Sequence, residues 1–205
     1  DDAVAVRIGG VAVPAQGRPL AYWPDGSVKW LCITARLPEG DVAPAPAPPW
    51  VTFRDGSRWA FAVTSGKPEP VNNPLTTQKK GEDVEVNTGR LRIVVGPGRG
   101  WLKAFEAPGA PLPEGKSAVA DARYQRDFEA LSSTRGALKG GTEDTAFLLV
   151  NSVEIVEEGP LRSIVRLEGM VTNQEPTRVL LWLEFRAGCA EIRVTHTAEF
   201  LFADP

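Results

Sequence analysis

Leu20-Ala21-Tyr22-Trp23-Pro24-Asp25-Gly26-Ser27-Val28-Lys29-Trp30-Leu31-Cys32-Ile33 is the stretch from which the rest of the chain can be read. Two runs rich in aromatic and β-branched residues flank Pro24-Asp25-Gly26-Ser27. Proline fixes φ near the value that the first corner of a turn needs. Aspartate bonds its own downstream backbone, and glycine takes the positive φ that a side chain resists. The stretch therefore predicts a β-hairpin whose register the turn sets. From Ser27 the pattern alternates, with Val28, Trp30, Cys32 and Thr34 on one face and Lys29, Leu31, Ile33 and Ala35 on the other. Both faces carry bulk, so this strand is expected to be covered on both sides for much of its length.

Outward from the hairpin the grammar stays β. Ala3 to Ile8 opens as a strand, Gly9-Gly10 turns it into Val11-Ala12-Val13, and Pro14 to Pro19 leads into the hairpin. After Pro38-Glu39-Gly40, the run Val42 to Pro49 reads as an extended polyproline-type connection. Trp50 to Arg54 and Arg58 to Val63 form a second hairpin around Asp55-Gly56-Ser57. Asp-Gly-Ser thus occurs in both hairpins, which suits either an internal pseudo-repeat or the general favour of Asp-Gly for such turns. Residues 66–82 are rich in turn formers and poor in anchors, and mark the expected linker between a small module over 1–65 and a second over 83–205.

In the second module, Val84 to Gly89 and Arg90 to Val95 predict a hairpin, followed by a short strand over Trp101 to Phe105. Val119 to Phe128 alternates weakly, and Ser132 to Asp144 reads as loop. Phe147 to Val156, Leu161 to Val171, Thr177 to Arg186 and Glu191 to Phe202 are four long alternating runs with short separators, the pattern of an antiparallel meander. Strands longer than the usual ~5–6 residues suggest a broad sheet, half of a large sandwich. No segment predicts a helix. The expected fold is all-β, a small β-barrel followed by a partial antiparallel β-sandwich.

With 205 residues, 42% hydrophobic and 24% charged, the composition is that of a globular chain able to build a core. A net charge of -3 disfavours nucleic acid or an anionic membrane as the main partner. No apolar run approaches the ~20 residues that span a bilayer, so no membrane insertion is expected. Asp1-Asp2-Ala3-Val4 lacks the basic and apolar regions of a signal peptide, so any targeting segment is expected to be absent or already removed. Cys32 and Cys189 sit in apolar runs and read as buried free thiols, the alternative being a disulfide that needs the two ends of the chain to touch. One histidine and no close cysteine pair give no metal site, and no cofactor is expected.

Candidate chemistry is sparse. His196 alternates with Ile192, Val194, Ala198, Phe200 and Phe202, which places it on an apolar face as a core residue or as a wall of a sugar cleft. Trp23, Trp30, Trp50 and Trp59 crowd into the first module. A small module ordinarily spends its largest side chains on its core. Exposed beside a polar hairpin tip, however, tryptophans stack on the C–H faces of sugars. On that second reading the carbohydrate-contacting residues are Trp23, Asp25, Lys29, Trp30, Trp59 and His196. Asp25 and Lys29 read equally as a turn residue and a solvated strand side chain. Gly96-Pro97-Gly98-Arg99-Gly100 lacks the Lys-Ser/Thr ending and the helix of a phosphate loop. The pairs Glu143/Asp144 and Glu157/Glu158 are loop charges whose neighbours point apart, and no catalytic residue is nominated.

Pro14-Ala15-Gln16 followed by Pro19 to Trp30 resembles the N-terminal module of the exo-rhamnogalacturonan lyase/YetA-like proteins, polysaccharide lyase family 26. Val86 to Leu91, Gly159-Pro160-Leu161-Arg162 with Val165, and Ile192 to Thr197 resemble that family's later strands more loosely. The resemblance implies a barrel of the RIFT type, then a large β-sandwich, then a helical toroid, in exported proteins that cleave pectin rhamnogalacturonan by β-elimination. It breaks off at Phe200 to Pro205, which implies a truncated sandwich, a missing toroid and no activity from this chain alone. The β-elimination needs a base beside the uronate carboxylate and cations for the developing charge, and no tyrosine-histidine-arginine grouping stands out for those jobs. The implied role is to support or bind a polysaccharide or oligosaccharide, in an extracellular or periplasmic setting. The alternative is a structural or adhesive module of an extracellular assembly such as a filament, surface layer or phage particle. The partners expected are then carbohydrate, further copies of the chain, or a C-terminal domain.

Overall fold

A computed structural model describes residues 4–37, 50–52, 58–107, 147–172 and 177–200. The polyproline-type run, the Asp55-Gly56-Ser57 turn, the weak strand after Val119 and the loop after Ser132 lie outside the described residues. The chain is all-β, without helix among the described residues. It divides into one unit of Asp1–Pro74 with Gly159–Arg162, and a second of Leu75–Glu158 with Ser163–Pro205.

The first unit holds β1 (Val4–Ile8), β2 (Val11–Val13), β3 (Ala15–Tyr22), β4 (Val28–Ala35), β5 (Trp50–Thr52) and β6 (Arg58–Ser65). Gly9 and Gly10, both at positive φ, form the two-residue turn that pairs Ile8 with Val11. The sheet order is β2-β1-β6-β5, with β3-β4 as a separate ribbon. Val6, Ile8, Val13 and Ala15 form a small core, against which Ile33, Ala35 and Phe61 pack. The face of β4 bearing Ile33 and Ala35 is thus the inner one. On β3, the side chain of Gln16 grips the tip segment of this unit. Its Oε1 accepts from the Leu161 and Arg162 N–H groups at 3.2 and 3.1 Å, and its Nε2 donates to the Arg162 carbonyl at 3.1 Å.

The second unit begins with β7 (Thr76–Lys80), which lies inside the stretch read as a linker. It continues through β8 (Asp83–Asn87), β9 (Arg92–Val95) and β10 (Leu102–Glu106). Its second sheet is β11 (Phe147–Glu157), β12 (Arg162–Thr172), β13 (Thr177–Arg186) and β14 (Arg193–Phe200). The orders are β10-β9-β8-β7 and β11-β12-β13-β14, the latter the expected meander. Alternation does the work here. Val179, Leu181, Leu183 and Phe185 point inward from β13 and meet Val84, Val86, Ile93 and Val95 of the other sheet in one core. This is a face-to-face sandwich.

Backbone and hydroxyl contacts lock the two sheets. Gly98 and Val150 exchange N–H···O bonds of 2.8 and 3.2 Å. Thr88, fully buried, donates from Oγ1 to the Cys189 carbonyl at 2.6 Å and accepts from the Leu91 N–H at 3.0 Å. Thr77 donates to the Ser163 hydroxyl at 2.9 Å, which in turn donates to the Glu157 carbonyl at 2.8 Å.

On the outer side of the first of these sheets, Glu85 accepts from Arg92 and Lys80, both at 2.9 Å. The hydrogen bond from Arg92, then that from Lys80, pulls its carboxyl from 4.5 to about 2. A depressed folded-state value means stability that is present above pH 4.5 and lost as pH falls from there towards 2. Glu85→Gln is therefore expected to flatten the acid limb of a plot of urea midpoint against pH, with the two proteins converging at the acid end. Parallel limbs would show that this carboxylate gives no such support.

Candidate functional site

The β3–β4 turn is built as its residues dictate. The Gly26 N–H donates to the Trp23 carbonyl at 2.9 Å and the Trp23 N–H to the Ser27 carbonyl at 2.8 Å, with Gly26 at φ 84. This is a type I turn closed by a left-handed glycine, a common three-residue hairpin loop. The Asp25 carboxylate accepts from the Ser27 hydroxyl at 2.7 Å and from its N–H at 2.9 Å, and these bonds, the hydroxyl first, lower its pKa. Asp25 therefore tightens the turn, and the oxygen that does so is committed to Ser27.

The same hairpin presents a group of aromatic rings to solvent. Trp30 is 62% exposed, Tyr22 56% and Trp23 51%, with Leu20 also exposed. The Lys29 ammonium sits 4.3 Å from the Trp23 ring centroid. Such a cation–π contact is worth about 0.5–1 kcal/mol at an exposed site, enough to bias the ring's orientation. One face of Trp23 is then covered by Lys29, and the charge stands beside the ring. Register places Tyr22 opposite Val28 and Ala21 opposite Trp30, with shifts at Pro19/Ala21 and Ala21/Tyr22. The extra residue of each shift adds twist to the ribbon.

Four of the six residues read as carbohydrate-contacting, Trp23, Asp25, Lys29 and Trp30, share this hairpin. For Trp59 the backbone alone is described, on β6. His196 belongs to the second unit, on β14 opposite Leu181. It is half-buried, and its Nε2 is buried without a hydrogen-bond partner among the described residues. β4 is half-buried on both faces for most of its length, and only Lys29 and Trp30 at its turn end are exposed. Two expectations are corrected. Trp23 and Trp30 face water and are not core residues. Cys32 and Cys189 are free but half-buried rather than buried. Tyr22 and Leu20, missed as surface contributors, were available from their place beside the turn, where a ribbon has nothing left to pack on. Among the described residues no group of three His, Cys, Asp or Glu could hold a metal ion.

Comparison with known proteins places this hairpin in context. A family model described as the PcRGLX-like N-terminal RIFT barrel domain matches residues 1–45. A Bacillus subtilis (strain 168) protein, "Uncharacterized protein YetA", is 25% identical over 188 residues. The match covers 89% of this chain and 19% of that protein, so the chain spans about a fifth of its relative's length. The matches support a relation to the rhamnogalacturonan lyase-like proteins and a RIFT-type barrel at the front of this all-β chain.

Proposed function

We propose that this chain is a non-catalytic, carbohydrate-contacting region related to the N-terminal part of an exported rhamnogalacturonan lyase of polysaccharide lyase family 26. The observation that carries this reading is the joint exposure of Trp30, Tyr22 and Trp23 on one hairpin, with Lys29 beside them. Flat aromatic faces suit the C–H faces of sugars, and an ammonium suits an acidic or hydroxyl-rich chain. The Asp25 carboxylate is held by Ser27, which suits a turn-building role.

Titration of the chain with rhamnogalacturonan oligosaccharides, followed by tryptophan fluorescence and calorimetry, tests the proposal. Burying about 60 Å² of ring against sugar is worth ~1.5 kcal/mol, so Trp30→Ala is expected to weaken binding about tenfold. Unchanged affinity in that variant would remove the hairpin from the binding surface. Sustained formation of unsaturated product would overturn the non-catalytic part of the reading. A second reading, a structural module of an extracellular assembly, is favoured by the outer edge of β14.

A further inference from the structure

Both sheets of the second unit carry charge on their outer faces in rows that cross the strands with alternating sign. In the first, Lys80, Glu85, Arg92 and Glu106 come in turn from β7, β8, β9 and β10, at 2.9, 2.9 and 2.6 Å. In the second, Glu168 of β12, Arg178 of β13 and Glu199 of β14 lie at 2.7 and 3.2 Å. This second row ends on a carboxylate at β14, the outermost strand of its sheet among the described residues. Further along, Glu184 of β13 stands opposite Arg193, so another row reaches the same edge and ends on a cation.

Arg193 and Glu199 stand equally far along the strand from His196, on either side of it. If β14 runs antiparallel to a copy of itself about a two-fold axis at His196, Arg193 falls opposite Glu199 and Val194 opposite Ala198. Thr195 then falls opposite Thr197. The Arg–Glu and Thr–Thr pairs are favourable cross-strand neighbours, and both charged rows continue across the axis with their signs still alternating. On the other face the axis sets His196 beside its own copy. The strand itself carries few of the usual deterrents to pairing. Arg193–Phe200 has no proline or lysine and pairs with β13 without a bulge. Along it Arg193, Thr195, Thr197 and Glu199 are exposed, and Val194 is 39% exposed.

We propose that β14 is a self-complementary pairing edge, through which two copies of this chain join their β11–β14 sheets into one continuous antiparallel sheet. The interface is isologous, the commonest kind in homodimers. It is independent of sugar contact at the hairpin, so neither proposal stands or falls with the other.

Sedimentation equilibrium of the 205-residue chain through the micromolar range tests this. The chain is expected to dimerise. Arg193→Glu and Glu199→Lys, each turning two opposite-charge pairs into two like-charge pairs, are expected to weaken the dimer about 30-fold. An equimolar mixture of the two variants is expected to recover association, because the mixed dimer holds one native and one exchanged pair. Glu199 also serves Arg178, so concentration-dependent hydrogen-exchange protection of the β14 amides in the unaltered chain gives a check that needs no substitution. A monomer throughout, a dimer indifferent to both substitutions, no recovery on mixing, or β14 protection independent of concentration would each overturn the proposal.

Discussion

Gly169→Ala is expected to destabilise the second unit by about 3 kcal/mol, at the upper end of what overpacking a tight interior ordinarily costs. Gly169 is buried in the middle of β12, opposite Val150 of β11. The β11–β12 register shifts between Val150 and Ser152, and an unpaired residue of that kind bends its strand. A Cβ on Gly169 would fall within van der Waals distance of the Leu149 carbonyl oxygen and 2.9 Å from the Val150 Cα. These are main-chain atoms, so no side chain can swing aside to make room. Relief requires moving β11, whose Leu148 and Val150 are part of the shared core. Native-state hydrogen exchange of the β13 amides from Val179 to Phe185 reports on this unit alone and is the measurement to make. Gly100→Ala is the control: nothing lies within 4 Å of its added methyl, and an effect within about 0.5 kcal/mol is expected at such a site. Equal effects of the two substitutions would mean that the close approach at Gly169 is not what selects glycine.

The contrast between Gly169 and the β3–β4 turn shows what a sequence discloses. Gly26 advertises itself, because Pro24-Asp25-Gly26 is local chemistry with a local result. Gly169 sits inside an alternating run with no turn former nearby, and its constraint comes from a strand that arrives from elsewhere. The same distinction explains the strand map. The closing meander was legible, since each separator is short and each run long enough to show its alternation; Thr177–Arg186 matches the run read from the sequence. The pairing of β1 with β6, which joins Ile8 to Phe61, was not legible, because partner choice between distant strands leaves no trace in either one. β7 was hidden for another reason. Thr76–Lys80 is polar at every residue, and only Thr77 is buried.

At the candidate site, alternation assigned Trp30 to the correct side of β4 but could not say whether anything covered that side. Bulk was read as burial, whereas the core is satisfied by Val6, Ile8, Val13 and Ala15. The residues brought together at the hairpin were therefore nameable one by one, and their shared exposure was not. His196 illustrates the converse. Its apolar neighbours along the strand were visible, but its position on β14, outermost in its sheet among the described residues, depends on the sheet order.

Thr88→Val is expected to cost about 3 kcal/mol, although valine has nearly the same shape and is the more hydrophobic side chain. Asn87-Thr88-Gly89 forms the β8–β9 turn, with the Gly89 N–H donating to the Asn87 side chain at 2.8 Å. Within it the Thr88 hydroxyl serves two elements at once: it accepts from the Leu91 N–H and donates to the Cys189 carbonyl beyond β13. The main chain reinforces the junction, with the Gly188 N–H donating to the Thr88 carbonyl at 2.7 Å. Removing the hydroxyl leaves the buried Leu91 N–H without a replacement, which costs about 1–3 kcal/mol, and the part-buried Cys189 carbonyl without its donor, which adds less. Thr88→Ser keeps both bonds and removes one methyl, for which about 1 kcal/mol is expected. The serine variant should thus be the milder of the two, the reverse of the order that hydrophobicity alone predicts. Exchange of the Leu91 and Gly188 amides, read beside that of β13, separates loss of the junction from general loosening. If valine proves the better tolerated residue, the hydroxyl is incidental and the junction rests on its backbone bonds.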